Sequence, residues 1–170
     1  MPCRPASLED EACLAGLFSA LAAAGDGRLF HPHPLSREAA RSACRHRLDA
    51  RSSGNRDEYH VATDEADGID AAAGEPIVGY GLLRGWADGF AVPSLGIAVH
   101  PAHRGRGIAR GLMAHLHDVA ARRGAAQVRL KVYRHNTAAV RLYESLGYEF
   151  QQHSATELLG FLALRHPVAA

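Results

Sequence analysis

Val99-His100-Pro101-Ala102-His103-Arg104-Gly105-Arg106-Gly107-Ile108-Ala109 joins the end of an apolar strand to the start of an amphipathic helix. The turn between them holds two glycines and two arginines. Glycine lets a backbone come close to a ligand, and the free N–H groups of a helix's first turn, with the positive end of its dipole, attract anions. Arg104 and Arg106 add charge beside that point, which suits a pyrophosphate. The stretch is not a Walker loop, because no Gly-Lys-Ser/Thr follows. Nor is it a dinucleotide fingerprint, because the glycine spacing differs and no acidic residue is placed for a ribose. On these residues alone a tight turn with two solvated arginines remains open. An RGG-like RNA-binding reading is weaker, since the arginines sit in a folded strand-to-helix unit without interleaved aromatics.

Outward from this stretch the periodicity is clear. Ser94 to Val99 reads as a central strand, apolar on both faces. Ile108, Leu112, Leu116 and Val119 recur on one helix face, and Gly124 ends that helix. A strand follows from Ala126 to Val132, then a helix from Asn136 to Leu146 closed by Gly147. Tyr148 to Gln152 and Glu157 to Leu164 read as a closing antiparallel pair. Upstream, Ser7 and Asp10 form a capping-box pattern ahead of a helix from Leu8 to Ala24. Phe30-His31-Pro32-His33-Pro34 is barred from the helix by its prolines, and a second helix runs from the Ser36 cap to about Ala50. The Ser52-Ser53-Gly54-Asn55 cluster breaks it. Glu58 to Thr63 and Pro76 to Leu83 are two strands joined by a polar Asp/Gly/Ala stretch, with a turn at Gly85-Trp86-Ala87-Asp88-Gly89. The predicted order is β-α-α-β-β-β-α-β-α-β-β, a mixed α/β layer structure without repeats.

Composition narrows the function classes. The chain has 170 residues, 47% hydrophobic and 22% charged, enough for one domain to bury about 70% of its unfolded surface. Its 19 basic and 18 acidic side chains nearly cancel, so no global field draws it to nucleic acid or an anionic membrane. No apolar run reaches the length of a membrane span, and Met1-Pro2-Cys3-Arg4 leads into Leu8-Glu9-Asp10 rather than a signal-peptide core. A cytoplasmic protein is expected. Cys3, Cys13 and Cys44 lack C-x-x-C spacing and read as reduced thiols. Lys131 is the only lysine amid abundant arginine and alanine, a GC-rich bias that suggests a bacterial source.

Downstream lies a second motif, Asn136-Thr137-Ala138-Ala139-Val140-Arg141-Leu142-Tyr143-Glu144-Ser145-Leu146-Gly147-Tyr148. An amide side chain opens the helix and a tyrosine follows two turns later on the same face. By itself this could be a capped amphipathic helix with Tyr143 in the core. Together, each after a strand, the two motifs make the sequence resemble the GNAT superfamily of acyl-CoA N-acyltransferases. Arg104, Gly107 and Ala109 match the superfamily's Arg/Gln-x-x-Gly-x-Gly/Ala pattern. Asn136, Ala139, Tyr143, Gly147 and Tyr148 match its second motif. The specific part covers residues 92–150, and the element order covers nearly the whole chain.

The resemblance implies a GNAT fold over residues 1–170, with a mixed central β-sheet, splayed central strands and flanking helices. The strand ending in Ala98 and Val99 would part from the one at Val128–Val132, and the pantetheine arm of acetyl-CoA would lie in the gap. Ala98, Val99, Arg104, Gly105, Arg106, Gly107, Ile108, Ala109, Asn136, Ala139 and Tyr143 are the cofactor-binding candidates. The implied reaction is direct attack of an acceptor amine on the thioester. Tyr143 would protonate the departing thiolate, and a backbone N–H such as that of Val99 would meet the oxyanion. Asn136 would orient the helix start or the pantetheine.

The general base is not readable. Peptide N-terminal acetyltransferases of the superfamily carry a glutamate where this chain has Lys131, and histone-type members carry one where alignment puts Pro93. Their absence favours an acceptor amine less basic than a lysine ε-amine, or a water-relayed base. Asp88, Glu58, His60 and His31 are the base candidates, with a turn or edge residue as the other reading of each. His31 and His33 frame the acceptor side by topology. No metal site is expected, since His-Pro-His is rigid and no third ligand is evident. His115 and His117, two apart on a helix, cannot face one site together, and His100 simply ends its strand. Trp86 and Phe90 could stack on a sugar ring, shield the acyl site or anchor a hairpin end. The leading expectation is an acetyl-CoA-dependent N-acetyltransferase for a small amine such as an amino sugar. A protein or peptide acetyltransferase and a non-catalytic acyl-CoA-binding module are the alternatives. A homodimer through the Glu157–Leu164 strand, as an edge or as part of a hairpin, is the expected form of any self-association.

Overall fold

The computed structural model describes residues 2–30, 32–53, 55–64 and 76–164. The Asp/Gly/Ala stretch between the second and third strands therefore lies outside the described residues, apart from Asp64 and Pro76. The elements follow the predicted order: β1 (Cys3–Pro5), α1 (Glu11–Ala23), α2 (Arg37–Ser53), β2 (Glu58–Thr63), β3 (Ile77–Arg84), β4 (Ser94–Val99), α3 (Ile108–Arg122), β5 (Gln127–Tyr133), α4 (Thr137–Ser145), β6 (Glu149–Gln152) and β7 (Glu157–Ala163). Short 3-10 turns precede α1 at Leu8–Asp10 and α3 at Pro101–His103. The predicted capping box forms there. Asp10 is buried, its carboxylate accepts the Ser7 N–H at 2.8 Å, and Arg4 grips it with both terminal nitrogens at 2.7 and 2.8 Å. Burial alone would raise its pKa, but the bonds from Arg4 and Ser7 outweigh that and hold the carboxyl below its usual range.

One seven-stranded sheet runs in the order β1-β2-β3-β4-β5-β7-β6. Every neighbouring pair is antiparallel except β4 and β5. Apolar residues on its two faces make two cores. One gathers Leu14, Leu17, Phe18 and Leu21 of α1 with Val61, Tyr80 and Leu82, and the other gathers Leu112, Met113 and Leu116 of α3 with Val128, Leu130 and Tyr143. Helix α3 comes close to the sheet because β3 carries Gly81 beneath it. A Cβ there would stand 2.7 Å from Leu116 Cδ1, so only glycine leaves that seat free.

The strand expected to supply an edge is not one. Strand β7 pairs with β5 on one side, from Gln127↔Ala163 to Tyr133↔Glu157, and with β6 on the other. Both its rows of backbone groups face neighbouring strands, and β6 is the edge. The two strands do form the predicted antiparallel pair, but the later one is inserted inside the earlier.

Candidate active site

The two sides of β4 differ. Toward β3 it keeps six register pairs, Arg84↔Ser94 to Gly79↔Val99, and His100 N–H donates to Val78 O at 2.9 Å just beyond. Toward β5 it keeps one, Ser94↔Arg129, supported by Arg129 N–H donating to Pro93 O at 3.0 Å. Because backbone groups alternate along a strand, the His100 bond assigns even-numbered β4 residues to β3 and odd-numbered ones to the other side. Ile97 and Val99 therefore turn their N–H groups toward β5 where β4 no longer pairs with it.

This parting opens into a cleft of about 920 Å³. Ala98, Val99, Arg104, Gly105, Gly107, Ile108, Ala109, Asn136, Ala139 and Tyr143 all line it, whereas Arg106 does not. Gly105 and Gly107 have φ of 76° and 80°, the left-handed region that β-carbons oppose. Gly107 is the N-cap of α3, and no side chain caps that helix, so its first-turn N–H groups remain open to an anion. Arg104 ion-pairs with Asp26 and extends Nε to Val99 O at 3.4 Å. Arg106 lies 3.7 Å from Asp64 Oδ2. His100 does more than end its strand: its Nδ1 accepts the Ala102 N–H at 3.2 Å and caps the 3-10 turn.

Asn136 Oδ1 accepts the Ala139 N–H at 3.3 Å and so starts α4. Helical spacing then brings Tyr143 to the cleft. Its ring is tilted against Tyr148, centroids 5.7 Å apart, and the Tyr148 hydroxyl is held by His117 Nε2 at 2.9 Å. The Tyr143 hydroxyl has no hydrogen-bond partner among the described residues. Burial pushes its pKa up to about 12, so the phenol keeps its proton at neutral pH.

The base candidates separate. Asp88 lines the cleft, and His31 lies outside the described residues. Glu58 and His60 are buried under α3 and do not line the cleft. His60 Nε2 bonds Glu58 Oε2 at 3.1 Å, its Nδ1 bonds His115 Nε2 of α3 at 2.9 Å, and Arg123 ion-pairs with Glu58. The residue parity of β2 sends 58, 60 and 62 toward α3 and 59 and 61 toward α1 and α2. His33 bonds the Tyr80 hydroxyl at 3.0 Å within an aromatic group that includes Phe18 and Phe30. His115 and His117, as expected, face different partners.

Several cleft residues were not anticipated. Glu157 and His153 line it, and Glu157 Oε1 pairs with Lys131 at 3.0 Å. Arg84 and Arg129 line it as well, and the half-exposed Phe90 lies under the Arg129 guanidinium, 5.1 Å from its ring centre. Trp86 instead packs on the core with Arg56 over its ring at 5.6 Å. The alternation Val128-Arg129-Leu130-Lys131-Val132 carried the signal, for it gives β5 one apolar and one charged face.

The parted strands thus bring unpaired backbone groups and the uncapped, glycine-rich start of α3 into one cleft. Comparison with known proteins names the class. The model of the acetyltransferase (GNAT) family matches residues 30–148, and the chain belongs to that family. Streptothricin acetyltransferase of Streptomyces lavendulae is 36% identical over 99 residues, 50% of this chain and 52% of that protein. The L-methionine sulfoximine/L-methionine sulfone acetyltransferase of Salmonella typhimurium is 33% identical over 93 residues, 53% and 50% of the two chains. The chain thus spans about half the length of these curated relatives. In fold it is similar to a phosphinothricin acetyltransferase from Sinorhizobium meliloti solved in complex with acetyl-CoA, with a TM-score of 0.71, 16% identity and 96% and 88% of the chains covered.

Proposed function

We propose that this chain is an acetyl-CoA-dependent N-acetyltransferase acting on the primary amine of a small acceptor. The observation that carries the reading is the one-sided pairing of β4, which leaves the N–H groups of Ile97 and Val99 facing a cleft that also holds Tyr143 and the uncapped start of α3. These groups fit the cosubstrate. Unpaired strand N–H groups suit an amide-rich arm, and open helix N–H groups beside Arg104 suit a pyrophosphate. When bound, acetyl-CoA supplies an acyl group on a thiol leaving group, open to attack by an amine.

The chain's own residues then have separable tasks. Val99 N–H, with no strand partner on its side, is placed to hold a carbonyl oxygen as it gains charge. Tyr143 is neutral and has no hydrogen-bond partner among the described residues, and it donates its proton toward the leaving sulfur. Asn136 acts through the fold, by starting the helix that carries Tyr143. No residue is assigned as base. A small amine that is partly neutral at physiological pH needs little help, and Asp88 and Glu157 are the carboxylates in the cleft. Both curated relatives are named for free small molecules, which supports a small acceptor over a protein. Lys131, tied to Glu157 where peptide-type enzymes carry a glutamate, supports the same choice. An amino sugar satisfies the argument from amine basicity.

The test is thiol release from acetyl-CoA against amino acids, amino sugars, polyamines and N-terminal peptides. The reading predicts release with at least one small amine and none with peptides. Acetyl-CoA binding without release on any amine would leave only a binding module.

A further inference from the structure

Three side chains form a row across the middle of the sheet. Arg84 on β3 is in register with Ser94 on β4, and Ser94 is in register with Arg129 on β5. All three line the cleft. Arg129 Nε donates to Ser94 Oγ at 2.9 Å, and Arg84 Nη1 donates to Pro32 O at 2.6 Å. Phe90 supports the Arg129 guanidinium from below. Each cation is thus positioned by one neutral oxygen, and its remaining N–H groups meet no further acceptor among the described residues.

Neither guanidinium meets a carboxylate among the described residues, although Arg4, Arg41, Arg104, Arg106 and Arg123 all do. The nearby acids are otherwise engaged or exposed. Glu157 is held by Lys131, and Asp57 spends one oxygen on the N–H groups of Gly85, Trp86 and Ala87. Asp88 is exposed on the turn above. Two half-buried arginines, neither paired with a carboxylate among the described residues, present a cationic face that an incoming anion would neutralise. The guanidinium fork matches a carboxylate or phosphonate better than it matches a hydroxyl.

The row also lies at the right distance. Ser94 precedes Ile97 by three residues, about 10 Å along a strand, and Arg84 leans into that span, its Nη1 on the carbonyl of Pro32, whose ring stands over Gly96. A small molecule with its amine at the parted end of β4 and an oxyanion directed at Arg84 and Arg129 therefore spans at most that distance. We infer that Arg84 and Arg129 bind an oxyanionic group on the acceptor, so that the substrate class is a small primary amine bearing a carboxylate or a related oxyanion. This rests on the acetyltransferase reading above and narrows its acceptor.

The experiment compares kcat/KM for amino acids, their carboxamides, aminoalkyl phosphonates and amino sugars, in the wild type and in Arg84→Gln, Arg129→Gln and Arg129→Lys. The free acids or the phosphonates should exceed the carboxamides by about 10-fold or more, the range of a charge-assisted pair, and whichever leads names the oxyanion. That ratio should collapse in both glutamine variants, survive in part in Arg129→Lys, and leave acetyl-CoA affinity unmoved. Equal use of acids and carboxamides, or a ratio that survives both glutamine substitutions, would overturn the inference while the transferase reading stands. Absence of thiol release with every amine would overturn both.

Discussion

Strand β4 meets its two neighbours on unequal terms. Its six pairs with β3 make a closed ladder covered by α3, whereas its single pair with β5 leaves a gap with backbone donors facing it. The first side fixes the strand and the second turns main-chain N–H groups to the cleft, from one stretch of six residues. The difference shows how a sheet can present main-chain groups to a ligand without exposing an edge: the parted strand is fixed in place by the ladder behind it.

The sharpest way to test the open side is Tyr143→Phe. Turnover should fall about 100-fold or more, as loss of a general acid does, with little change in acetyl-CoA affinity measured by titration. An unchanged rate would remove Tyr143 from the chemistry. On the closed side, Leu116→Ala empties the seat over Gly81 and should cost about 2–5 kcal/mol in chemical denaturation. Arg104→Ala strikes the cofactor end and should weaken acetyl-CoA binding by about 10-fold, the loss of one charge-assisted contact, while stability stays near that of the parent. The smallest effect is on pH. Burial holds His33, His115 and His117 below the ordinary histidine value, so the folded state prefers them neutral. Their contribution is fully present above about pH 6.5 and is lost as pH falls from there toward their folded values, because the unfolded chain binds protons that the folded one resists. Urea midpoints at pH 7.5 and pH 5.5 should show the decline, and a higher midpoint at pH 5.5 would reverse the assignment.

Much of the open side was legible in the sequence. Arg104, the glycines at 105 and 107, the Asn136 cap and the Tyr143 spacing are local features, each written within one turn or one helix, whereas Arg106 turns to Asp64 instead. The acceptor side was not. Arg84, Ser94 and Arg129 lie far apart in the chain and become a row only through strand register. Glu58 and His60 misled for a related reason: the cleft lies where β4 parts from β5, two strands away from β2, and no pattern within β2 reports that lateral distance. The insertion of β7 between β5 and β6 likewise depends on a pairing choice that strand patterns leave open. Local chemistry was readable, and lateral placement was not.

The central claim is that the β5 side of β4 is open and receives acetyl-CoA. Amide hydrogen exchange at individual β4 residues tests it directly. Gly96 and Ala98, which face β3, should exchange slowly with or without acetyl-CoA. Ile97 and Val99 should exchange quickly in the free protein and become protected when acetyl-CoA is added. Ile97 and Val99 as protected as Ala98 in the free protein, or unchanged at saturating acetyl-CoA, would contradict the account.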